Sequence, residues 1–341
     1  MQIAIEFGGG EFRSLRREGG RLLARRVPTD YVVVNSLEAQ RRLLERHGEG
    51  FAACDEGLLV YGVAARELAE LLSIPLQSVL EDGRLRQNDP VSRQLLGALV
   101  EGLLPPSPPA GARGLVIAAL SDEPSLDEEH DLEFLSHLVK LRGYTPEMIS
   151  PSLGLIFGEG SDFGYSGIAV HLDHGTVDVS ITFQTRQVAA FTLPLGGARM
   201  DREIARSEKS YVRLQDGREA LDVRPIQEWR EGVLTLNRII DPRTLELQNQ
   251  YRELAHIILF RLQRELTPRL RNQLPRRLPL IIGGPLAKPA GLEHIFSQSL
   301  LNVNLPLQVS ALHRVTDFRF ASLRGGLLLA ELTQTSSLVA A

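Results

Sequence analysis

Alternating apolar and polar positions mark the start of the chain, and the same pattern returns in its middle. Residues 3–15 read IAIEFGGGEFRSL and residues 168–181 read IAVHLDHGTVDVSI. Each has an alternating apolar strand, a tight glycine-containing turn and a second strand, the pattern of a β-hairpin. Laid over each other, Glu6 falls on His171 and Gly10 on Gly175. A turn of this kind gathers main-chain N–H groups on one concave surface, which suits phosphate. Two copies, one per half, predict two similar lobes able to grip one polyphosphate between them.

Residues 2–34 predict three strands, turning at FGGGEF and REGGRL, with the third running through 31–34. A charged helix is expected over 37–47, then a strand over 58–63 that leads into the helical AARELAELL. Asp89-Pro90 caps a further helix, VSRQLLGALVEGLL. Successive prolines make 104–112 a loop. The apolar run 115–120 reads as a buried parallel strand, followed by a helix over 125–141 that Gly143 closes. The apolar segment ISPSLGLIFGEG and the glycine-rich link 158–167 mark a lobe boundary. Lobe I is expected over 1–150, with a small insertion at about 33–82, and lobe II over 151–341. The second lobe opens with the repeated hairpin and a third strand over 188–195; a polar, irregular stretch at about 200–243 reads as a shortened insertion. A long helix follows with Leu247, Tyr251, Leu254, Ile258, Leu262 and Leu266 on one face. A buried strand over 278–284, a closing helix over 318–332 returning to lobe I, and a frayed tail over 333–341 complete the chain. The whole reads as an α/β fold of two mixed-sheet lobes flanked by helices.

Composition narrows the function. With 341 residues, 43% hydrophobic and 23% charged, the chain can bury cores for two lobes. A net charge of -4 gives no global reason to expect nucleic acid as a partner. The single Cys54 forms no internal disulfide and fits a reducing compartment. No apolar run approaches the roughly 20 residues that span a bilayer. The opening MQIAIEFGGG reads as a strand rather than a signal peptide, so a cytoplasmic protein is expected.

Three segments match one superfamily in order and spacing. IAIEFGGGEFRSL resembles the first phosphate loop of the actin, Hsp70 and sugar-kinase superfamily, HLDHGTVDVSI its second, and LPLIIGGPLAKPAGL its adenosine motif. LPLGGARMDREI and ASLRGGLLLAEL resemble the glycine turn with its helix and the closing helix of the bacterial actins, the MreB-like branch. The resemblance implies a duplicated actin-like (ribonuclease H-like) fold with ATP or ADP and Mg²⁺ in a cleft between the lobes. It implies head-to-tail assembly of the chain with itself into cytoskeletal filaments, in the cytoplasm or at the inner face of the plasma membrane. Cytoskeletal or membrane-associated proteins are further implied partners. Amides around Gly8, Gly9, Gly10 and Gly175 and the hydroxyl of Thr176 are the implied phosphate ligands, and Gly283 and Gly284 lie beside the adenosine.

The departures from the family pattern bear on catalysis. Its two metal-side aspartates are here Glu6 and His171, and its water-orienting glutamate is Ser150. Glu6 keeps a charge that can act on Mg²⁺ through water, whereas imidazole is a poor ligand for a hard cation. A serine lacks the charge to polarise water. Asp173 and His174 replace glycines, and Asp173 sets a negative charge where phosphate would approach. The expected function is a filament-forming scaffold with weak or absent ATP hydrolysis. The alternative is a non-polymerising pseudo-ATPase adaptor for division, cell-shape or pilus machinery; a sugar-kinase activity lacks a sequence block for its carboxylate base.

Other chemistry-bearing residues have plainer readings. His171, Asp173, His174 and Asp178 match no standard metal spacing and read as a polar turn with a half-exposed histidine. The six arginines from Arg13 to Arg26 read as a solvated ribbon face rather than a nucleic-acid or lipid patch. Arg269, Arg271, Arg276 and Arg277 read as a solvated turn, and Trp229 as local packing. Leu103 and Leu104 stand where some bacterial actins touch a membrane, which leaves a membrane contact open there.

Overall fold

The repeated hairpin forms the heart of two five-stranded sheets built on the same plan. Gln2–Phe7 pairs antiparallel with Glu11–Glu18, and Gly167–Leu172 with Val177–Phe183. A third antiparallel strand follows on one side, Arg21–Pro28 in the first sheet and Arg186–Leu193 in the second. Strands from further along the chain add in parallel on the other side. These are Arg113–Ile117 then Thr145–Ile149, and Arg277–Gly283 then Gln308–Arg314. The first strands of the two hairpins are almost wholly buried, as strands covered by layers on both faces must be. This computed structural model describes residues 2–339 apart from 35–37, 48–49, 55–56, 82, 87–88, 107, 110, 119–124 and 215–216.

Several elements differ from the sequence expectation. The third strand is Arg21–Pro28 rather than 31–34, because Gly19 and Gly20, both at positive φ, turn the chain straight back. Asp30–Val34 instead joins a separate small sheet with Phe51–Cys54, Gly57–Tyr61 and Gln77–Ser78. The stretch expected to be irregular contains the helices Gly197–Glu208 and Arg224–Gly232 and a short ribbon, Tyr211–Arg213 with Glu219–Leu221. ISPSLGLIFGEG forms the helix Pro151–Glu159, and the closing helix runs over Ala321–Val339. Residue 37 of the expected first helix, 119–120 of the expected strand and 340–341 of the expected tail lie outside the described residues. Leu103 and Leu104 are fully buried, so neither leucine is available to a bilayer. Among the described residues no helix is long and apolar enough to cross a membrane.

One helix crossing joins the two sheets. Leu323 and Leu327 of the closing helix pack on Ala4, Leu115 and Ile117 of the first sheet. Leu155 and Ile156 of the linking helix, Pro151–Glu159, pack on Ala169 and Ile281 of the second. Where the two helices cross, Gly154 and Gly158 face Gly325, and a Cβ on Gly325 would run into the main chain of both. Main chain cannot yield as a side-chain tip can, so glycine is required at this crossing. Gly325→Ala is expected to destabilise the protein by about 2 kcal/mol or more. Gly97→Ala, on a helix where the added methyl meets nothing, is expected to stabilise by up to about 1 kcal/mol. Urea unfolding of the two variants beside the parent checks both.

Candidate functional site

The close crossing brings the two glycine turns face to face. The Gly9 N–H donates to Asp173 Oδ2 at 2.8 Å. A Cβ on Gly9 would lie 2.8 Å from Gly175 N, and one on Gly10 would lie 3.2 Å from His174 Cβ. The His174 side chain reaches between Gly10 and Gly197, whose added Cβ would lie 3.2 Å from Nδ1. The glycines of the first turn therefore admit the opposing hairpin. Thr176 is covered in turn by Gly83, where any Cβ would strike its methyl group.

Beneath the turns lies a buried ionic floor. Glu6 and Arg13 are cross-strand neighbours in the first hairpin, and Arg13 Nη2 donates to Glu6 Oε1 at 2.7 Å. Ser322 Oγ of the closing helix donates to Glu6 Oε2 at 2.6 Å, and His171 Nε2 lies 3.2 Å from Oε1. Burial alone would push the Glu6 carboxyl up, but Arg13, His171 and Ser322 together outweigh it and hold its pKa at about 2. Arg13 is completely buried and also donates through Nη1 to the Arg319 carbonyl at 2.6 Å. His171 is 2% exposed and is a core residue, whereas His174 in the turn is partly exposed. His171 sits opposite Asp178, which accepts from Ser152 N at 3.0 Å, from Ser152 Oγ and from Thr192 Oγ1 at 3.1 Å. Burial raises the pKa of Asp178 despite these donors. Ser150 is a buried helix cap whose Oγ accepts from Leu153 N at 3.1 Å.

A second buried pair closes the other side. Arg230 holds Asp201 through two parallel contacts of 2.6 and 2.8 Å, tying helix Gly197–Glu208 to helix Arg224–Gly232. At the outer rim, Arg224 donates to the Arg66 carbonyl at 2.7 Å and to Glu70 at 3.0 Å, so helix Arg224–Gly232 touches helix Val63–Leu72 across the cleft. Gly283 and Gly284 lie against the second hairpin from below. Their added Cβ atoms would lie 2.7 Å from Leu155 Cδ2 and 2.8 Å from Leu172 N. A cavity of about 620 Å³ opens beside Gly8, Gly9, His171, Asp173 and Thr176 and reaches Asp131 and Pro151.

The structure thus gathers Glu6, Gly8, Gly9, His171, Asp173 and Thr176 around one cavity, while Ser150 is buried beside Pro151, which also lines it. The sequence reading missed Arg13 and Arg230. Arg13 is not one of the solvated arginines; its position opposite Glu6 in a two-faced hairpin is the signal that it points inward. Arg17, Arg21, Arg25 and Arg26 are exposed, as are Arg269, Arg271, Arg276 and Arg277. Trp229 packs against the second core with the Arg243 guanidinium 5.3 Å from its ring centre. The residues present do not fit a directly held Mg²⁺: Glu6 is committed to Arg13 and Ser322, Asp173 to Gly9, and imidazole is a poor ligand for that ion. Among the described residues no group of three or more His, Cys, Asp or Glu side chains could hold a metal ion.

Two sheets of matching topology, each with a glycine-turn hairpin facing a common cleft, make up an actin-like fold, the fold seen in MreB and MamK structures. The chain is similar over its full length to MreB 5 of Spiroplasma citri bound to AMPPNP, with a TM-score of 0.69, 13% identity and 98% of that chain covered. The MamK double helical filament gives a TM-score of 0.67 at 16% identity, over 97% of this chain and 99% of that one. The same Spiroplasma citri MreB5 bound to ADP gives 0.67 at 13% identity, over 100% of this chain and 98% of that one. The chain belongs to the Volactin family, whose model matches residues 1–330. No curated protein matches it.

Removing Arg13 leaves a buried carboxylate without its counter-charge. Arg13→Ala is expected to cost about 3–5 kcal/mol in urea unfolding, and the double variant Glu6→Gln, Arg13→Met much less. The pH response follows from two groups. Burial lowers the pKa of His174 below 6.5, helped by the positive charge of Arg230. The unfolded chain takes up that proton more readily than the fold, so stability falls as pH drops below 6.5. Glu6 contributes stability above 4.5 that is lost as pH falls toward about 2. Thermal melts on acidification are expected to show both losses, and His174→Asn to remove the upper one.

Proposed function

We propose that this chain is an actin-like scaffold that assembles with itself head to tail into filaments and hydrolyses ATP weakly or not at all. The observation that carries the catalytic half is the Glu6–Arg13 ion pair. Hydrolysis needs a group that orients the attacking water and a carboxylate near the metal. Ser150 is engaged as a helix cap and Glu6 is neutralised by a buried guanidinium. The assembly half is supported by the fold, which the chain shares with a protein solved as a double helical filament.

The cleft takes ATP or ADP in this reading, the class of ligand bound in the MreB5 structures. Main-chain donors at Gly8, Gly9, Gly10 and Gly175, with Thr176, hold the phosphates, and Gly283 and Gly284 flank the nucleoside. Mg²⁺ arrives on the phosphates rather than on protein carboxylates. The filament acts in the cytoplasm, and contact with the membrane face runs through partner proteins.

Phosphate release at saturating MgATP is expected at the level of a protein-free control; turnover comparable to that of ordinary bacterial actins would overturn the catalytic half. Pelleting and negative-stain microscopy, with and without nucleotide, are expected to show filaments. A monomer under every condition would remove the assembly half.

A further inference from the structure

The first glycine turn is still an anion site, but the chain supplies the anion. We propose that the Asp173 carboxylate is the resident ligand of the Gly9 amide, a built-in competitor that keeps polyphosphate out of the cleft until the two hairpins part. This rests on the reading of the cleft as a nucleotide site.

The first argument is chemical. A carboxylate oxygen 2.8 Å from a main-chain N–H makes the contact that a phosphate oxygen would make there. Asp173 is 6% exposed, so little water competes for it. The second argument is steric. The two turns touch on the Cα side of Gly9, where an added methyl group would already meet Gly175 N at 2.8 Å. A phosphate is larger than a methyl group, so it cannot enter between Gly9 and Gly175 unless the two turns part. The third argument is electrostatic. Asp173 stands on the same floor as Glu6, and Arg13 is the buried cation that faces both. A triphosphate entering without displacing Asp173 would add negative charge to a floor whose cation is already matched.

The latch does not act alone. His174 reaching between Gly10 and Gly197, Gly83 over Thr176, and Arg224 on the Arg66 carbonyl must all separate if the turns part. Nucleotide affinity is then reduced by the fraction of molecules with the turns apart, and nucleotide in turn favours that open state.

The test is titration of a fluorescent ATP analogue, with Mg²⁺, into the parent protein, Asp173→Gly and Asp173→Asn. Asparagine keeps the shape of the side chain and removes its charge. Both variants are expected to bind at least about tenfold more tightly than the parent. Hydrogen exchange at the peptide containing Gly9 is expected to be slow in the parent and faster in Asp173→Gly. Circular dichroism confirms folding, and pelleting of the same samples reads assembly separately. Affinities within about twofold across all three proteins would overturn the latch and leave the nucleotide reading standing. No binding by any of the three folded proteins would overturn both, whatever the pelleting shows.

Discussion

A guanidinium buried to the last atom beneath an interlobe cleft sets the terms for everything around it. Arg13 cannot be neutral, so the fold must bring it a carboxylate and further acceptors. Glu6 supplies the charge from the same hairpin, and the Arg319 carbonyl accepts its second donor from just before the closing helix. Ser322, one residue into that helix, completes the Glu6 carboxylate. Hairpin and closing helix are therefore tied by directed polar contacts as well as by apolar packing. The Glu6 carboxylate is a structural joint between hairpin and closing helix.

The second hairpin also turns its polar side chains to structural use. Its histidine and aspartates are not arranged as ligands but are absorbed into the protein's own contacts. His171 lies against Glu6, Asp178 anchors the start of the linking helix through Ser152, and Asp173 reaches across to the first turn. A turn rich in main-chain donors needs an acceptor, and here the acceptor belongs to the chain itself.

The duplicated fold was legible because strands buried on both faces leave runs of apolar residues, and glycines break those runs at the turns. The 168–181 repeat and the strand before Gly283 are of this kind. What escaped was amphipathic or locally determined. Helix Gly197–Glu208 hides few apolar residues among many charges, so it reads as irregular. Helix Pro151–Glu159 is apolar nearly all round, and a short apolar run does not distinguish helix from strand. Glu6, Ser150 and His171 could be singled out in the sequence, whereas their partners in the fold could not. Arg13 and Asp173 gain their roles only when strand register and the meeting of the two turns are known.

The crossing at Gly154, Gly158 and Gly325 has a mechanical implication. Two helices in main-chain contact over one turn each, at Gly154 and Gly158 against Ala321, Ser322 and Gly325, form a fulcrum, while the arms they carry end at Arg224 and Glu70, held by a half-exposed ion pair of the weak surface kind. A small roll at the fulcrum is magnified into a wide excursion at the rim. A pull that separates the two sheets would therefore be felt first as a gape at the mouth, long before any core strand gave way.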